Sequence, residues 1–163
     1  KTGTYDARRT FYKTTSPSMD ILISSNLERL LYHVSGSSEK VAGWMQELSA
    51  TGKYTVDAET LAKIQQSFAA GYADDADGAA EIKARFDGDH YLCDTHTAVA
   101  FRVAETRRTD APMVVLSTAS PFKFPRDVLT ALGWATPRPK KSPGRPCCSP
   151  PTSAPRLFVK SNN

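Results

Sequence analysis

Met113-Val114-Val115-Leu116-Ser117-Thr118-Ala119-Ser120-Pro121 is the stretch on which the fold reading turns. Four consecutive apolar residues, two of them β-branched and followed by small hydroxyl residues and a proline, fit a strand of a parallel sheet buried on both faces. Such a strand needs neighbours, because its backbone donors and acceptors must pair on either side. No other stretch reads as a strand with equal clarity. The expectation is an α/β, helix-rich body with an incomplete sheet.

Outward from that stretch the pattern is helical. Leu27, Leu30, Leu31 and Val34 fall at i, i+3, i+4 and i+7, one apolar face of a helix that Gly36 can end. Val41, Trp44, Met45 and Leu48 repeat the spacing in a second helix, stopped near Gly52. Asp57 can cap a third, with Leu61, Ile64 and Phe68 facing inward. A weaker fourth runs through Ala79 to Phe86. Asp94 or Thr95 can cap a fifth, whose apolar side is Val99, Ala100 and Val103. Beyond the strand, Pro125 suits the first turn of a last helix, with Asp127 near its positive end and Gly133 past its finish.

Charge divides the chain in two. Residues 1–135 hold 15 Lys+Arg against all 17 Asp+Glu, a net of −2, whereas residues 136–163 hold six basic residues and no acid. The basic pI of about 9.0 belongs to that second segment, which also contains seven of the 11 prolines. The body therefore carries no basic stripe for nucleic acid. The segment 136–163 reads as a disordered tail that cannot bury enough apolar surface to offset its ordering entropy. Its abrupt start after Trp134 fits a change of reading frame. A tail able to bind an acidic partner makes a non-catalytic interaction module the alternative reading. No run approaches the roughly 18 apolar residues of a membrane span. Cys93 stands alone and Cys147-Cys148 lack a Cys-x-x-Cys partner, so no metal site is expected and a reducing, cytoplasmic setting is the default.

Candidate chemistry gathers at three places. Ser117 and Thr118 follow the expected strand, where open α/β sheets collect ligands; equally, they can cap the loop. Ser16-Pro17-Ser18-Met19-Asp20 is turn-forming, with Ser18 or Asp20 able to cap the helix that follows. Asp94-Thr95-His96-Thr97 joins an acid, a histidine and two hydroxyls at a helix start, which serves either a cap or general acid/base chemistry. Asp74-Asp75-Ala76-Asp77 lacks the other ligands of a calcium loop and reads as solvated. His33 lies near a helix end and His90 in a polar loop. The glycines are never closer than seven positions apart, so no glycine-rich phosphate loop is present.

The run Ser16-Pro17-Ser18-Met19-Asp20-Ile21-Leu22-Ile23-Ser24-Ser25-Asn26-Leu27-Glu28-Arg29 resembles a signature of microbial threonine synthases. Thr2-Gly3-Thr4-Tyr5 is similar to the stretch just before it. Asp94-Thr95-His96-Thr97-Ala98 is similar to the family's Asp-Pro-His-Thr-Ala, with Thr95 in place of proline. Leu116 to Phe124 resembles the Ser-Thr-Ala-(His/Ser)-Pro-x-Lys-Phe segment near the family's end. The resemblance covers residues 1–135, and 136–163 resembles nothing in the family.

What this implies is the C-terminal part of a fold-type II, tryptophan synthase β-like enzyme dependent on pyridoxal 5'-phosphate (PLP). The family converts O-phosphohomoserine and water to threonine and phosphate. The resemblance places Thr118, with Ser117 beside it, at the pyridine nitrogen, where this fold type uses a hydroxyl. It offers Ser16, Ser18, Asp20, Arg29, His96 and Lys123 as substrate-side residues, the cations because a phosphate leaving group needs donors. The family's Schiff-base lysine, in a Phe-Lys-Asp context, and its glycine-rich phosphate loop normally precede the region matched here. Phe122-Lys123 belongs to another motif. No catalytic residue is therefore expected in this chain, its partner is the N-terminal part of the same enzyme, and alone it is expected to be inactive.

Overall fold

The computed structural model describes residues 1–136. The basic tail read at 136–163 lies, from residue 137 on, outside the described residues. Six α-helices and one small antiparallel sheet follow one another as β1 (Thr4–Asp6), α1 (Ser25–Ser35), α2 (Ser38–Thr51), β2 (Lys53–Thr55), α3 (Ala58–Ser67), α4 (Asp75–Asp89), α5 (Thr95–Glu105) and α6 (Pro125–Ala131). Short 3-10 turns at Pro17–Met19 and Pro121–Lys123 carry two of the sequence motifs.

Local chemistry sets most of these boundaries. Gly36 and Gly52 end α1 and α2 in the left-handed conformation, with φ of 66° and 78°. A side chain would strain both positions. The Asp57 carboxylate caps α3 by accepting from the Thr60 N–H, and Pro125 opens α6. His90 ends α4 with φ 54°, a left-handed position that histidine tolerates better than most residues. It is a helix cap and not a free loop residue.

Several expectations change. Phe68 lies just past the end of α3 and is exposed, so it does not face inward with Leu61 and Ile64. Helix α4 begins earlier than the apolar pattern suggested, because Asp74 accepts from the Asp77 N–H. The acidic run is thus more than a solvated surface: Asp75 binds Thr15 and Asp77 pairs with Arg102. On α5 the fully buried residues are Thr95, His96, Thr97 and Ala98, while Val99, Ala100 and Val103 are only half-buried. Neither Ser18 nor Asp20 caps α1; the cap position belongs to Ser24.

The largest change concerns 113–116. This segment pairs with no strand among the described residues, and Met113, Val114 and Leu116 are 48, 80 and 72% exposed. A parallel strand has no structure without flanking strands to take its backbone bonds. The sheet that does form joins β1 to β2, with Tyr5 opposite Tyr54. Three-residue strands are too short for an alternating pattern to show.

Two apolar clusters result. One joins Leu31, Val41, Tyr54 and Val56, from α1, α2 and β2. The other joins Ile82, Cys93, Ala98, Val128 and Leu132, around α4, α5 and α6. No helix among the described residues is long and apolar enough to cross a membrane.

Candidate functional site

The Ser16–Asp20 loop is held by its backbone. Asp20 accepts from the Thr14 N–H at 2.7 Å and from the Thr14 hydroxyl at 2.8 Å. Asp75, at the start of α4, accepts from the Thr15 N–H and hydroxyl at 2.9 and 3.0 Å. From α5, the Thr95 hydroxyl donates to the Thr15 carbonyl at 2.8 Å. The Ser18 N–H donates to His96 Nε2 at 3.2 Å. Within 14–20, therefore, every main-chain N–H and both Asp20 carboxylate oxygens are engaged. The Ser16 and Ser18 hydroxyls have no partner among the described residues.

Asp94 organises the opposite wall. It is fully buried at the N-cap of α5, where its Oδ1 accepts from the His96 N–H at 2.8 Å, His96 Nδ1 at 3.0 Å and the Thr97 N–H at 3.4 Å. Its Oδ2 accepts from the Thr97 hydroxyl. Burial pushes the carboxyl up, but the Thr97 hydroxyl, His96 and the Thr97 N–H outweigh it and hold it below the ordinary 3.8. The His96 ring packs on Phe124, centroids 4.8 Å apart, and so touches the Lys123-Phe124 turn.

Ser117 completes the arrangement. Its Oγ accepts from the Tyr91 hydroxyl at 3.0 Å and lies 3.4 Å from Thr97 Oγ1. The Thr118 hydroxyl is exposed and has no partner among the described residues. Lys123 is exposed and has no carboxylate partner there either.

Thus three motifs, far apart in the chain, meet through His96, Thr97 and Phe124. Arg29 does not join them. It lies on the exposed side of α1 in a separate cleft with Ser25, Glu28, Tyr32 and Ser38. Sequence reading missed Tyr91, Thr95, Thr97 and Phe124 as partners in this arrangement. Thr95 and Thr15 are 80 positions apart and Tyr91 and Ser117 are 26 apart, so no local pattern signals either bond. Among the described residues no group of three or more His, Cys, Asp or Glu could hold a metal ion.

The helix-rich piece, with its unpaired apolar segment, has the fold of the C-terminal part of a fold-type II PLP enzyme, as its likeness to solved structures shows. The family model described as "Threonine synthase, C-terminal" matches residues 97–144. The threonine synthase of Schizosaccharomyces pombe is 34% identical over 136 residues, covering 74% of this chain and 26% of that protein. That of Pseudomonas aeruginosa is 38% identical over 127 residues, covering 76% and 27%. The crystal structure of PLP-bound threonine synthase from Brucella melitensis superposes with a TM-score of 0.77 at 42% identity, covering 85% of this chain and 30% of that one. The chain belongs to the threonine synthase family and corresponds to its C-terminal portion. It spans between about a quarter and a third of the length of these relatives.

The residues present fit one side of the cofactor. The Thr118 hydroxyl, without a partner among the described residues, can donate to a pyridine nitrogen; Ser117 Oγ accepts from Tyr91 and lies beside Thr97 Oγ1, which leaves its own proton available as well. The described residues provide no glycine-rich loop for the cofactor's phosphate.

Proposed function

We propose that residues 1–135 are the part of a threonine synthase that supplies the cofactor-ring hydroxyl and the substrate-facing loop for converting O-phosphohomoserine and water to threonine and phosphate. The observation that carries this reading is the Ser18–His96 hydrogen bond, which joins the Ser16–Asp20 motif to the Asp94–Thr97 motif 78 positions away. PLP, when bound, supplies the electron sink for the reaction. Thr118 donates its hydroxyl to the ring nitrogen, and Ser117 is held beside it by Tyr91. Ser18 presents an exposed hydroxyl, and Ser16 a nearly buried one without a partner among the described residues, as hydrogen-bond donors to an anionic substrate. Asp20 holds the loop. Lys123 supplies an exposed cation on the Phe124 side. Arg29, remote from this group, is assigned no part in it. The Schiff-base lysine and phosphate loop belong to the N-terminal part of the enzyme.

The test is a chimera in which residues 1–135 replace the matching C-terminal segment of the Pseudomonas aeruginosa threonine synthase. It is expected to release phosphate from O-phosphohomoserine. Thr118→Val should lower turnover by about two- to tenfold, the loss expected for a hydrogen bond between neutral groups, and Thr118→Ser should restore most of it. A folded, PLP-loaded chimera with no turnover, or one indifferent to Thr118→Val, would overturn the reading.

A further inference from the structure

His96 is buried beside a carboxylate in a candidate site, the usual position of a proton-transferring group. Its hydrogen bonds say otherwise. Nε2 faces the Ser18 main-chain N–H at 3.2 Å. An amide N–H can only donate, so Nε2 must be the acceptor and carries no proton. Nδ1 then bears the ring's single proton and aims it at Asp94 Oδ1, 3.0 Å away. The carboxylate is held in turn by the His96 and Thr97 N–H groups and the Thr97 hydroxyl, so it cannot swing away. Phe124 fixes the ring plane from the side. Both ring nitrogens are consumed within the chain.

We infer that His96 is a positioning residue: a neutral imidazole locked in the Nδ1–H tautomer by Asp94, whose Nε2 holds the Ser18 amide and so sets where the Ser16 and Ser18 hydroxyls stand. It exchanges no proton with substrate. The logic is that of a metal- or substrate-orienting histidine whose second nitrogen is fixed by a carboxylate, here turned on a backbone amide. Thr15 and Asp75 fix the loop two to three residues earlier, and without the His96 bond the Ser18 end has no other tether from α5. The functional weight of this role rests on the proposed function, but its structural content does not.

The experiment is solution NMR of the full chain, labelled with 15N. A hydrogen bond from an amide N–H to an imidazole nitrogen transmits a scalar coupling between the two nitrogens. The expected result is such a coupling between Ser18 N and His96 Nε2, with ring shifts of an Nδ1–H tautomer. Asp94→Asn can present an N–H to Nδ1 and admit the other tautomer, so the coupling should weaken or vanish. His96→Phe keeps the ring against Phe124 and should speed Ser18 amide exchange by roughly tenfold, the loss of one ordinary hydrogen bond. His96→Gln, whose carbonyl can accept, should recover part of that protection. Absence of the coupling in the unsubstituted chain, or an Nε2–H ring, would overturn the inference. These readouts require no turnover, so an inactive chimera would count against the proposed function and leave this result standing.

Discussion

The region around Tyr54 closes on itself, whereas the region around Ile82 ends at an open edge. In the first, β1 and β2 pair with each other, and Tyr5 and Trp44 stack on Tyr54 at 5.5 and 6.5 Å. The Tyr5 hydroxyl donates to the Leu22 carbonyl and accepts from the Ser24 N–H, tying the start of α1 to the sheet. In the second, three helices bury Ile82 and Val128, but Val114 and Leu116 lie bare beside the hydroxyls of the candidate site. The closed region is a support; the open one adjoins the candidate site and leaves an apolar edge uncovered among the described residues.

Core truncation should separate the two most strongly. Leu31→Ala and Ile82→Ala are each expected to cost about 2–4 kcal/mol. Trp44 reports on the first region, and Trp134, edge-on to Phe86 at 5.6 Å, on the second. Urea unfolding of single-tryptophan variants should show each truncation shifting its own region's transition more. Equal shifts at both tryptophans would mean one cooperative unit and break the comparison. Cys93 gives an independent check in a Cys147→Ser, Cys148→Ser background. Burial pushes its thiol up to about 11, so alkylation should follow the opening of the Ile82 region alone.

Asp94→Ala should cost about 1–2 kcal/mol, the loss of a helix cap with its donors left unpaired. Urea unfolding should show that loss at Trp134 first.

Acid should act on both regions through their caps. The Thr60 N–H and Lys40 hold the Asp57 carboxyl down to about 2, and Asp94 is also held below 3.8. A carboxyl with a lower pKa folded than unfolded stabilises fully above the unfolded value and loses that contribution as pH falls through the folded one. Stability should therefore decline between about pH 4 and 2. Asp57→Asn should flatten the decline at Trp44 and Asp94→Asn at Trp134; a decline unchanged in both would refute the assignment.

The smallest effect should come from the surface. Lys63→Ala breaks an exposed pair with Glu59 and should leave the urea midpoint at both tryptophans unchanged in the same unfolding assay.

Legibility in the sequence followed the same division. The α1, α2 and α3 boundaries were readable because Gly36, Gly52 and Asp57 act on their immediate neighbours. The pairing of Tyr5 with Tyr54 was not, since three-residue strands carry no period and their partners lie 49 positions apart. At Met113–Leu116 the apolar run predicts a buried strand, yet the segment is largely exposed and pairs with no strand among the described residues, because a strand is a property of its neighbours as much as of its own residues. In the candidate site the motifs named His96, Ser117 and Ser18 individually. That His96 faces a backbone amide depends on how α5 docks against the loop, which no spacing in the chain encodes.

On the proposed reading this chain holds the ring-side hydroxyl and the substrate-facing loop of a threonine synthase, but not the cofactor's covalent anchor. Its most direct test is to incubate the full chain with PLP, reduce with borohydride, locate adducts by mass spectrometry and assay phosphate release from O-phosphohomoserine. No stoichiometric adduct at any single lysine and no phosphate release are expected. A stoichiometric adduct at one lysine, accompanied by phosphate release, would contradict that reading.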